Sequence, residues 1–429
     1  MTSSPPLTTG ASTEITTALP WGSRVNRRGH LEVGGCDLVE VAREFGTPAY
    51  VVAEDDLRGR ARSFLSGLRA RHSDCDVLFA SKAFPCTPVL RAICQEGLSC
   101  DVASGGELTL ALAAGFAPER IFLHGNAKSE AEVQLALAAG VGHVVLDSLH
   151  DMERVERTAA SLDLNQNVLV RVNPDVSGDT HAAISTGQAD SKFGFGSADA
   201  RAAIDAVASS PHLRLVGLHC HIGSQLLHLD PFRRAVAALA ALGDYPVYNL
   251  GGGLGVAYQR NQEPPAVEDY LATLVDTAHD LLGRNKRLLI EPGRALVANS
   301  TVTLYSVETV KRNVSTWVAV DGGMSDNLRP MLYGSRYEAL LADRPLQAGE
   351  RCHLAGKHCE SGDVIIHDVQ LPDPAPGDIV LTPATGAYGY AMANNYNGVP
   401  RPPVVFVRDG EARLVVRRET YADLMSRDV

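Results

Sequence analysis

A lysine at the end of a short apolar run is the first residue in this sequence whose type suggests chemistry. Lys82 stands in the segment FASKAF, residues 79–84, with no carboxylate beside it in sequence. Lysine is seldom buried without a partner, so Lys82 either emerges to solvent at the end of a strand or serves as a nucleophile. In an apolar site, desolvation lowers the pKa of a lysine, and the free amine forms a Schiff base with an aldehyde. Lys82 is therefore a candidate Schiff-base lysine.

A glycine loop and an acidic–basic motif suggest anion binding. The sequence GGGLG at residues 251–255 follows an apolar run, and such loops let backbone N–H groups approach a phosphate. Val256 replaces the last glycine of a dinucleotide fingerprint and no Gly-Lys-Ser/Thr ending follows, so a plain tight turn is the alternative. In residues 291–294, Glu291 could pair with a protonated ring nitrogen and Arg294 could grip a phosphate or carboxylate. The alternative there is an internal Glu291–Arg294 ion pair.

Two histidines and a serine lie close together in the segment HCHIGSQ. Alternation along a strand places His219 and His221 on one face, but no third ligand is evident nearby, so a metal site is not favoured. An imidazole stacked on a flat cofactor suits His221 better. Ser224 offers a hydroxyl to a phosphate.

The last third of the sequence holds a polar cluster and an Arg–Tyr pair. In GKHCESGD, residues 356–363, Cys359 could donate a proton and Glu360 could bind an amine, while an ordinary charged turn is the alternative. Arg329 and Tyr333 stand four residues apart. Together with Arg294 they could hold a carboxylate.

Charge and cysteine content exclude several classes of protein. The 429 residues carry 39 Lys and Arg against 50 Asp and Glu, a net charge of −11, so neither nucleic acid nor a membrane is an expected partner. The eight cysteines are scattered without Cys-x-x-Cys spacing, which is typical of reduced thiols in a cytoplasmic protein. Residues 1–20 lack Lys, Arg and an apolar core, and they predict a disordered tail rather than a signal peptide.

The elements that must position these residues form a regular alternation. Eight short apolar runs, each followed by an amphipathic stretch, begin at Val77, Ser99, Ile121, His143, Val168, Leu215, Val247 and Leu288. This pattern predicts a (β/α)8 barrel, with an open doubly wound sheet as the alternative. Beyond residue 300, runs broken by Gly, Asp and Pro predict an all-β sandwich or barrel-like domain. We predict a tail at 1–20, a lead-in at 21–47 packed with the β domain, a barrel at 48–300 and the β domain at 301–429.

Ten segments, taken in order, resemble one family closely. They are FASKAF, CDVASGGEL, FLHGNAKS, ISTGQADSKFGF, HCHIGSQ, NLGGGLGVAY, EPGRALV, VDGGMSDNLRPMLYG, GKHCESGD and TGAYGYAMANNYN. In this order they resemble the diaminopimelate decarboxylases, which are pyridoxal-phosphate enzymes with the alanine-racemase-like fold. The resemblance extends from about Phe45 to the C-terminus. Phe84, where Asn is frequent, and Lys357-His358 before the cysteine depart from the usual pattern.

The resemblance implies a role for each candidate residue. Lys82 would form the Schiff base with pyridoxal 5′-phosphate, His221 would stack on the ring, Glu291 would pair with the ring nitrogen, and no metal is implied. The remaining cofactor contacts would come from Ser224, Gly252, Gly253, Pro292, Gly293, Arg294 and Tyr388. The substrate would be bound by Arg294, Arg329, Tyr333, Glu360, Ser361 and Tyr388, and Cys359 would donate the proton. In this family the Cys359 segment reaches the neighbouring subunit's site, which implies a homodimer with composite active sites.

The type of reaction follows from the group beside the ring nitrogen. Decarboxylation leaves a carbanion at Cα, and a protonated pyridine ring is the electron sink. A carboxylate at Glu291 keeps that nitrogen protonated, whereas the arginine used by racemases of this fold would weaken the sink. The resemblance therefore implies conversion of meso-2,6-diaminopimelate to L-lysine and CO2, the last step of lysine biosynthesis. The alternatives are a decarboxylase of another amino or diamino acid and a non-catalytic protein that only carries the cofactor.

Overall fold

The N-terminal segment forms a small antiparallel sheet and a helix. The structure, a computed structural model, describes residues 15–176 and 191–429. The first elements are β1 (Arg24–Val25), β2 (Leu31–Val33), β3 (Cys36–Asp37), α1 (Leu38–Phe45) and β4 (Ala49–Ala53). The helix α1 begins after Asp37, whose carboxylate accepts the Val39 N–H at 3.0 Å and so caps the helix.

Eight parallel strands close into a barrel at the centre of the molecule. They are β5 (Cys75–Ala80), β6 (Ser99–Val102), β7 (Ile121–Leu123), β8 (His143–Leu146), β9 (Gln166–Val172), β10 (Leu213–Cys220), β11 (Val247–Asn249) and β12 (Arg287–Ile290). Strand β12 pairs with β5 and closes the ring. All eight predicted runs form strands of this ring. The predicted barrel is confirmed, and the open sheet is excluded because an open sheet would leave two unpaired edges.

Helices cover the outside of the barrel. They are α2 (Glu54–Arg71), α3 (Thr87–Gln95), α4 (Gly105–Ala114), α5 (Glu130–Ala139), α6 (Leu149–Ser161), α7 (Ser197–Ala208), α8 (Asp230–Ala240), α9 (Val267–Leu282) and the short α10 (Arg294–Val297). The serines Ser104, Ser129 and Ser148 cap α4, α5 and α6 and start each helix two to six residues after the end of the preceding strand. The short loops bring the carboxyl ends of the strands together at one face. Among the described helices, none is long and apolar enough to cross a membrane.

A second sheet follows the barrel in sequence. Its strands are β13 (Thr301–Arg312), β14 (Thr316–Val320), β15 (Leu340–Leu341), β16 (Glu350–Ala355), β17 (Val364–Leu371), β18 (Ile379–Pro383), β19 (Val404–Arg408) and β20 (Glu411–Val416). The main path runs β17-β16-β14-β13-β4-β19-β20, and β18 pairs with β13 and β15. The short helix α11 (Arg329–Tyr333) lies between β14 and β15 in sequence, and α12 (Tyr421–Leu424) follows β20. The predicted second domain, built mainly of β-strands, is thus confirmed.

Two details of the predicted boundaries are wrong. We placed β4 in the barrel segment 48–300, but it pairs antiparallel with β13 and parallel with β19 in the second sheet. A short, fully buried apolar run does not indicate which sheet it will join. The predicted tail at 1–20 ends too late, because Ala18 and Leu19 are buried and the Ala18 carbonyl accepts a hydrogen bond from Asn299. Residues 1–14 lie outside the described part of the chain.

The lead-in packs against the second domain. Leu31, Val33, Leu38 and Val41 share one apolar cluster with residues of β13 and β19. The Leu31 N–H also donates to the Ala342 carbonyl at 2.7 Å. The main apolar cluster fills the space between the barrel and its helices and continues into the second domain, where it includes Val318, Leu354 and Phe406. The barrel and the second domain therefore share one core.

Candidate active site

One cavity at the carboxyl ends of the barrel strands gathers the predicted cofactor residues. Besides Ala80, Leu254, Tyr270 and Ala295, it is lined by Lys82, His221, Ser224, Gly252, Gly253, Glu291, Pro292, Gly293, Arg294 and Tyr388. All ten residues that the sequence assigned to the cofactor lie in this cavity, although they come from five separate segments of the chain.

Lys82 lies in a single helical turn directly after β5. The turn covers Ser81–Ala83, and the Lys82 side chain is accessible from the cavity. Burial opposes its charge, but the acidic groups of Tyr388 and Asp101 outweigh burial and raise the pKa of Lys82. The expected lowering of the Lys82 pKa is therefore wrong for the chain without a bound ligand. Desolvation is present as expected, but no pattern in the sequence indicates that Tyr388 and Asp101 lie close to Lys82.

The glycine loop packs tightly against neighbouring backbone. A Cβ at Gly252 would lie 2.1 Å from the Glu291 carbonyl oxygen, and one at Gly253 would lie 2.5 Å from the Gly223 carbonyl oxygen. Gly253 also has a φ of +115°, which side chains rarely adopt. The loop is thus more than an ordinary turn, because only glycine brings its backbone this close to the end of β12.

Glu291 lies in a buried group of hydrogen-bond donors. Asn249 Nδ2 donates to Glu291 Oε1 at 2.6 Å, and His219 Nε2 donates to Oε2 at 3.1 Å. His124 Nε2 lies 2.9 Å from Oε1. Burial alone would raise the pKa of Glu291, but His124 and His219 hold it well below its usual value. The carboxylate is therefore ionised, and the predicted alternative of a Glu291–Arg294 ion pair is wrong.

The pKa values of the two imidazoles beside Glu291 shift in opposite directions. Burial lowers the pKa of His219 to about 4, so this ring is neutral near pH 7. Burial also opposes the charge of His124, but Asp101 and Glu291 outweigh it and raise the pKa of His124. The surroundings thus favour the charged form of His124, while His219 is a neutral donor.

His221 forms part of the cavity wall. Its Nδ1 accepts the Gly252 N–H at 3.3 Å, and burial together with the charge of Lys82 lowers its pKa well below the usual value. A neutral imidazole in this position suits contact with a flat ring. Among the described residues, His124, His219 and Glu291 bring three possible metal-ligand atoms within 4.8 Å of one another. His221 is not a member of this group.

Two buried arginines lie beside the cavity. Arg294 is 5% exposed and Arg329 is 3% exposed. Arg294 Nη2 donates to Ser224 Oγ at 2.7 Å, and Arg329 Nη1 donates to Tyr337 Oη at 2.5 Å. The Nε atoms of both arginines are buried without a hydrogen-bond partner, and within the described ranges neither arginine forms an ion pair with a carboxylate. Both cations are therefore available to an anionic ligand.

Two tyrosines named from the sequence take different positions. Tyr388 has a φ of +64°, a conformation that costs energy for a residue other than glycine. Its N–H donates to the Ala83 carbonyl at 2.9 Å, and its ring centroid lies 5.0 Å from the Arg294 guanidinium carbon. Tyr388 therefore connects the turn of Lys82 to Arg294. Tyr333 is the last residue of α11, the helix that Arg329 begins.

The Cys359 turn lies between β16 and β17, away from the cavity lining. Cys359, Glu360 and Ser361 are exposed and do not line the cavity of their own chain. The turn is nevertheless held firmly, because the buried Asp363 carboxylate accepts both the His358 backbone N–H at 2.9 Å and the ring Nδ1–H at 2.8 Å. The Cys359 side chain is thus presented outward on a rigid support.

Sequence reasoning missed four residues that contact the candidate residues: His124, Asn249, Tyr258 and Tyr337. His124 follows β7 in the motif FLHGNAKS, and Asn249 ends β11 in the motif NLGGGLGVAY. Tyr258 ends the motif NLGGGLGVAY. Membership of a motif could therefore have identified three of these four residues. Tyr337 lies in no such motif. Part of the motif ISTGQADSKFGF, residues 184–190, lies outside the described residues.

Comparisons with known proteins agree with this geometry. Residues 54–298 match the family described as "Pyridoxal-dependent decarboxylase, pyridoxal binding domain". Diaminopimelate decarboxylase of Bacillus subtilis is 43% identical over 95% of this chain and 97% of its own length. The enzyme of Actinosynnema pretiosum is 46% identical, with coverages of 100% and 98%. The crystal structure of diaminopimelate decarboxylase from M. jannaschii in complex with L-lysine has a TM-score of 0.88 at 32% identity, with coverages of 95% and 97%. The chain belongs to the diaminopimelate decarboxylase family of pyridoxal-dependent decarboxylases.

Proposed function

We propose that the chain converts meso-2,6-diaminopimelate to L-lysine and CO2, the last step of lysine biosynthesis. The observation that carries this proposal is the pair of buried cations, Arg294 and Arg329, which lack a carboxylate partner among the described residues. A buried charge is costly unless it is paired. A substrate with two carboxylates loses one as CO2 and keeps the other for these arginines. The names of the relatives from Bacillus subtilis and M. jannaschii support the same substrate.

The cavity fits pyridoxal 5′-phosphate, the cofactor of this family, on chemical grounds. Lys82 supplies the amine for the aldehyde, and Glu291 supplies an ionised acceptor for a protonated ring nitrogen. The glycine loop with Arg294 and Ser224 would hold the phosphate. The backbone N–H groups of such a loop and the guanidinium of Arg294 both favour an anion there. When bound, the cofactor supplies a cationic ring that accepts the electron pair left by the departing carboxylate.

The residues around the ring have separate tasks in this proposal. The ionised Glu291 would hold a proton on the ring nitrogen, and the neutral His221 would lie against the ring and keep water from it. Pro292 and Gly293 continue from Glu291 and complete the wall. Tyr388 fixes the orientation of Arg294 through its ring.

The distal part of the substrate would meet α11. Arg329 and Tyr333 begin and end this helix, and Arg294 approaches from the barrel. Arg329 is already oriented by its bond to Tyr337. A guanidinium fixed in this way binds a carboxylate at little cost in side-chain entropy. The three residues therefore support a site for the carboxylate that is retained.

The proton that replaces CO2 would come from Cys359, with Glu360 and Ser361 binding the substrate amine. These three residues are exposed and absent from the lining of their own cavity, which supports their use by a second copy of the chain. We therefore propose a homodimer with composite active sites. We also infer a cytoplasmic location without nucleic-acid partners, supported by eight unpaired cysteines and the net charge of −11.

A substrate panel tests the reaction. The enzyme loaded with pyridoxal phosphate should release CO2 from meso-diaminopimelate and form L-lysine, with far lower kcat/KM on lysine, ornithine and arginine. Arg329→Met should lower kcat/KM on meso-diaminopimelate by about a hundredfold or more, since breaking a buried charge pair costs roughly 3–5 kcal/mol. Arg312→Met, at an exposed arginine that pairs with Glu350, is the matched control. CO2 from another amino acid but none from meso-diaminopimelate would establish the alternative decarboxylase.

Chemical trapping tests the cofactor lysine separately. Borohydride reduction of the loaded enzyme, followed by peptide mapping, should place the pyridoxyl group on the Lys82 peptide. Lys128 is an internal control, because it is also buried but is paired with Asp151 at 2.6 Å. A label on Lys128, or an unmodified Lys82 peptide from active enzyme, would contradict the assignment.

A further inference from the structure

Tyr258 lies between the two buried arginines. It ends the glycine-rich motif and is itself buried. Arg294 Nη1 donates a hydrogen bond to Tyr258 Oη. The Arg329 guanidinium carbon lies 4.9 Å from the centroid of the Tyr258 ring. One phenol therefore contacts both cations that the proposed substrate would use.

The phenols around these arginines are their acidic neighbours. Tyr337 accepts a hydrogen bond from Arg329, and the Tyr388 ring faces Arg294. Two buried guanidiniums without a carboxylate among the described residues need another source of negative charge. Within the part of the chain that the structure describes, that source is a tyrosine.

Electrostatics distinguish Tyr258 from Tyr337. Burial would raise the pKa of Tyr258, but the charges of Arg294 and Arg329 outweigh burial and lower it. Burial raises the pKa of Tyr337 to about 12, although Arg329 acts against it. Of these two tyrosines, Tyr258 is the one that contacts both guanidiniums, so it gains more from losing its proton.

We propose that Tyr258 is the internal counter-ion of Arg294 and Arg329 and is thereby a positioning residue for substrate specificity. In the free enzyme the phenolate balances the two guanidiniums. When the distal carboxylate of the substrate binds the same cations, it supplies the negative charge, and Tyr258 takes up one proton from water. Net charge and protons balance, since one carboxylate and one proton enter together. This inference rests on the proposed function.

Proton uptake measured by calorimetry tests the proposal. The probes are L-lysine and 1,5-diaminopentane, which differ only in the carboxylate, and the protein is the full chain loaded with pyridoxal phosphate. Titration in buffers of different ionisation enthalpy gives the protons bound per site. Lysine should take up about one proton more than diaminopentane near neutral pH. The ultraviolet band of tyrosinate should fall with lysine alone.

Two matched variants locate the proton. Tyr258→Phe keeps the ring against both guanidiniums but should abolish the difference between the ligands, whereas Tyr337→Phe should keep it. Tyr258→Phe should also raise KM for meso-diaminopimelate about tenfold with a smaller change in kcat, the effect of one hydrogen bond to a charged group.

The outcomes separate this inference from the proposed function. Equal proton uptake for the two ligands in the wild type, or a difference that survives in Tyr258→Phe, overturns the role of Tyr258. The wild-type comparison decides the matter even if the variant fails to fold. Release of CO2 from meso-diaminopimelate is measured independently. An active enzyme without the extra proton therefore rejects only the counter-ion.

Discussion

Replacing Glu291 with glutamine removes one charge from the site with little change in shape. Glutamine can still accept from Asn249 and can donate to His219, whose ring is neutral and can take the other tautomer. The residue is fully enclosed, so water does not replace the missing charge. The Glu291→Gln enzyme should therefore fold and bind the cofactor but lose the acceptor that holds a proton on the ring nitrogen.

The size of the effect follows from the contacts of this carboxylate. Glu291 Oε1 lies 2.9 Å from His124 Nε2. Unit charges about 3 Å apart attract by roughly 5 kcal/mol at an effective dielectric constant of about 20, and desolvation offsets part of this. Removing one preorganised group that stabilises charge typically costs about 3–4 kcal/mol. We therefore expect kcat to fall by a factor of about a hundred to a thousand.

Steady-state formation of L-lysine from meso-diaminopimelate measures this loss. KM should change little, because in the proposed site α11 rather than Glu291 would meet the distal carboxylate. The pKa of His124, followed by NMR, should fall in the variant, since Glu291 helps to raise it. Glu130→Gln makes the same chemical change at an exposed helix start and is the control. A Glu291→Gln enzyme with wild-type kcat would refute the role of the carboxylate.

Three further predictions concern protonation. Cys359→Ala should leave pyridoxal-phosphate binding intact while kcat falls about a hundredfold or more, the range of general-acid catalysis; undiminished product formation would contradict the proton-donor role. Burial raises the pKa of Asp326 to about 7, so the stability linked to its neutral form is present below its ordinary pKa and is lost as pH rises through 7. Asp326→Asn should therefore be more stable than wild type at pH 8, by up to about 4 kcal/mol, and not at pH 4; parallel urea midpoints at the two pH values would contradict this. Because the Glu291 pKa is lowered, its contribution is present above the ordinary value and lost on acidification, so Glu291→Gln should flatten the acid limb of the stability profile.

Much of the fold could be predicted because each barrel unit carries its own signals. The units that contain α4, α5 and α6 each consist of a buried apolar run, a serine cap and a helix, and each unit is locally consistent. Strand β4 could not be assigned, since its five residues are all buried and its partners lie about 250 and 350 residues away. Long-range pairing of a short strand is set by the space left in the sheet and not by its own sequence.

The candidate site was predictable where its residues end barrel strands. Lys82, His221 and Glu291 each follow such a strand, and the carboxyl ends of parallel strands meet at one face. Tyr337 was not predictable in this way, because its role depends on a hydrogen bond to Arg329 across a turn after α11. The charge of His124 depends likewise on Asp101 and Glu291 from other strands.

The register of the barrel explains why Glu291 pairs with Asn249 and His219 and not with Arg294. Strand pairing places His219 opposite Asn249, and Asn249 opposite Leu289. Glu291 lies two residues beyond Leu289, so its side chain points to the same face as that residue. Arg294 starts α10 instead and turns towards Ser224 and Tyr258. Glu291, proposed to serve the ring nitrogen, and Arg294, proposed to serve the substrate, are thus only three positions apart in sequence. They do not neutralise each other, because the end of the strand and the start of the helix face different ways.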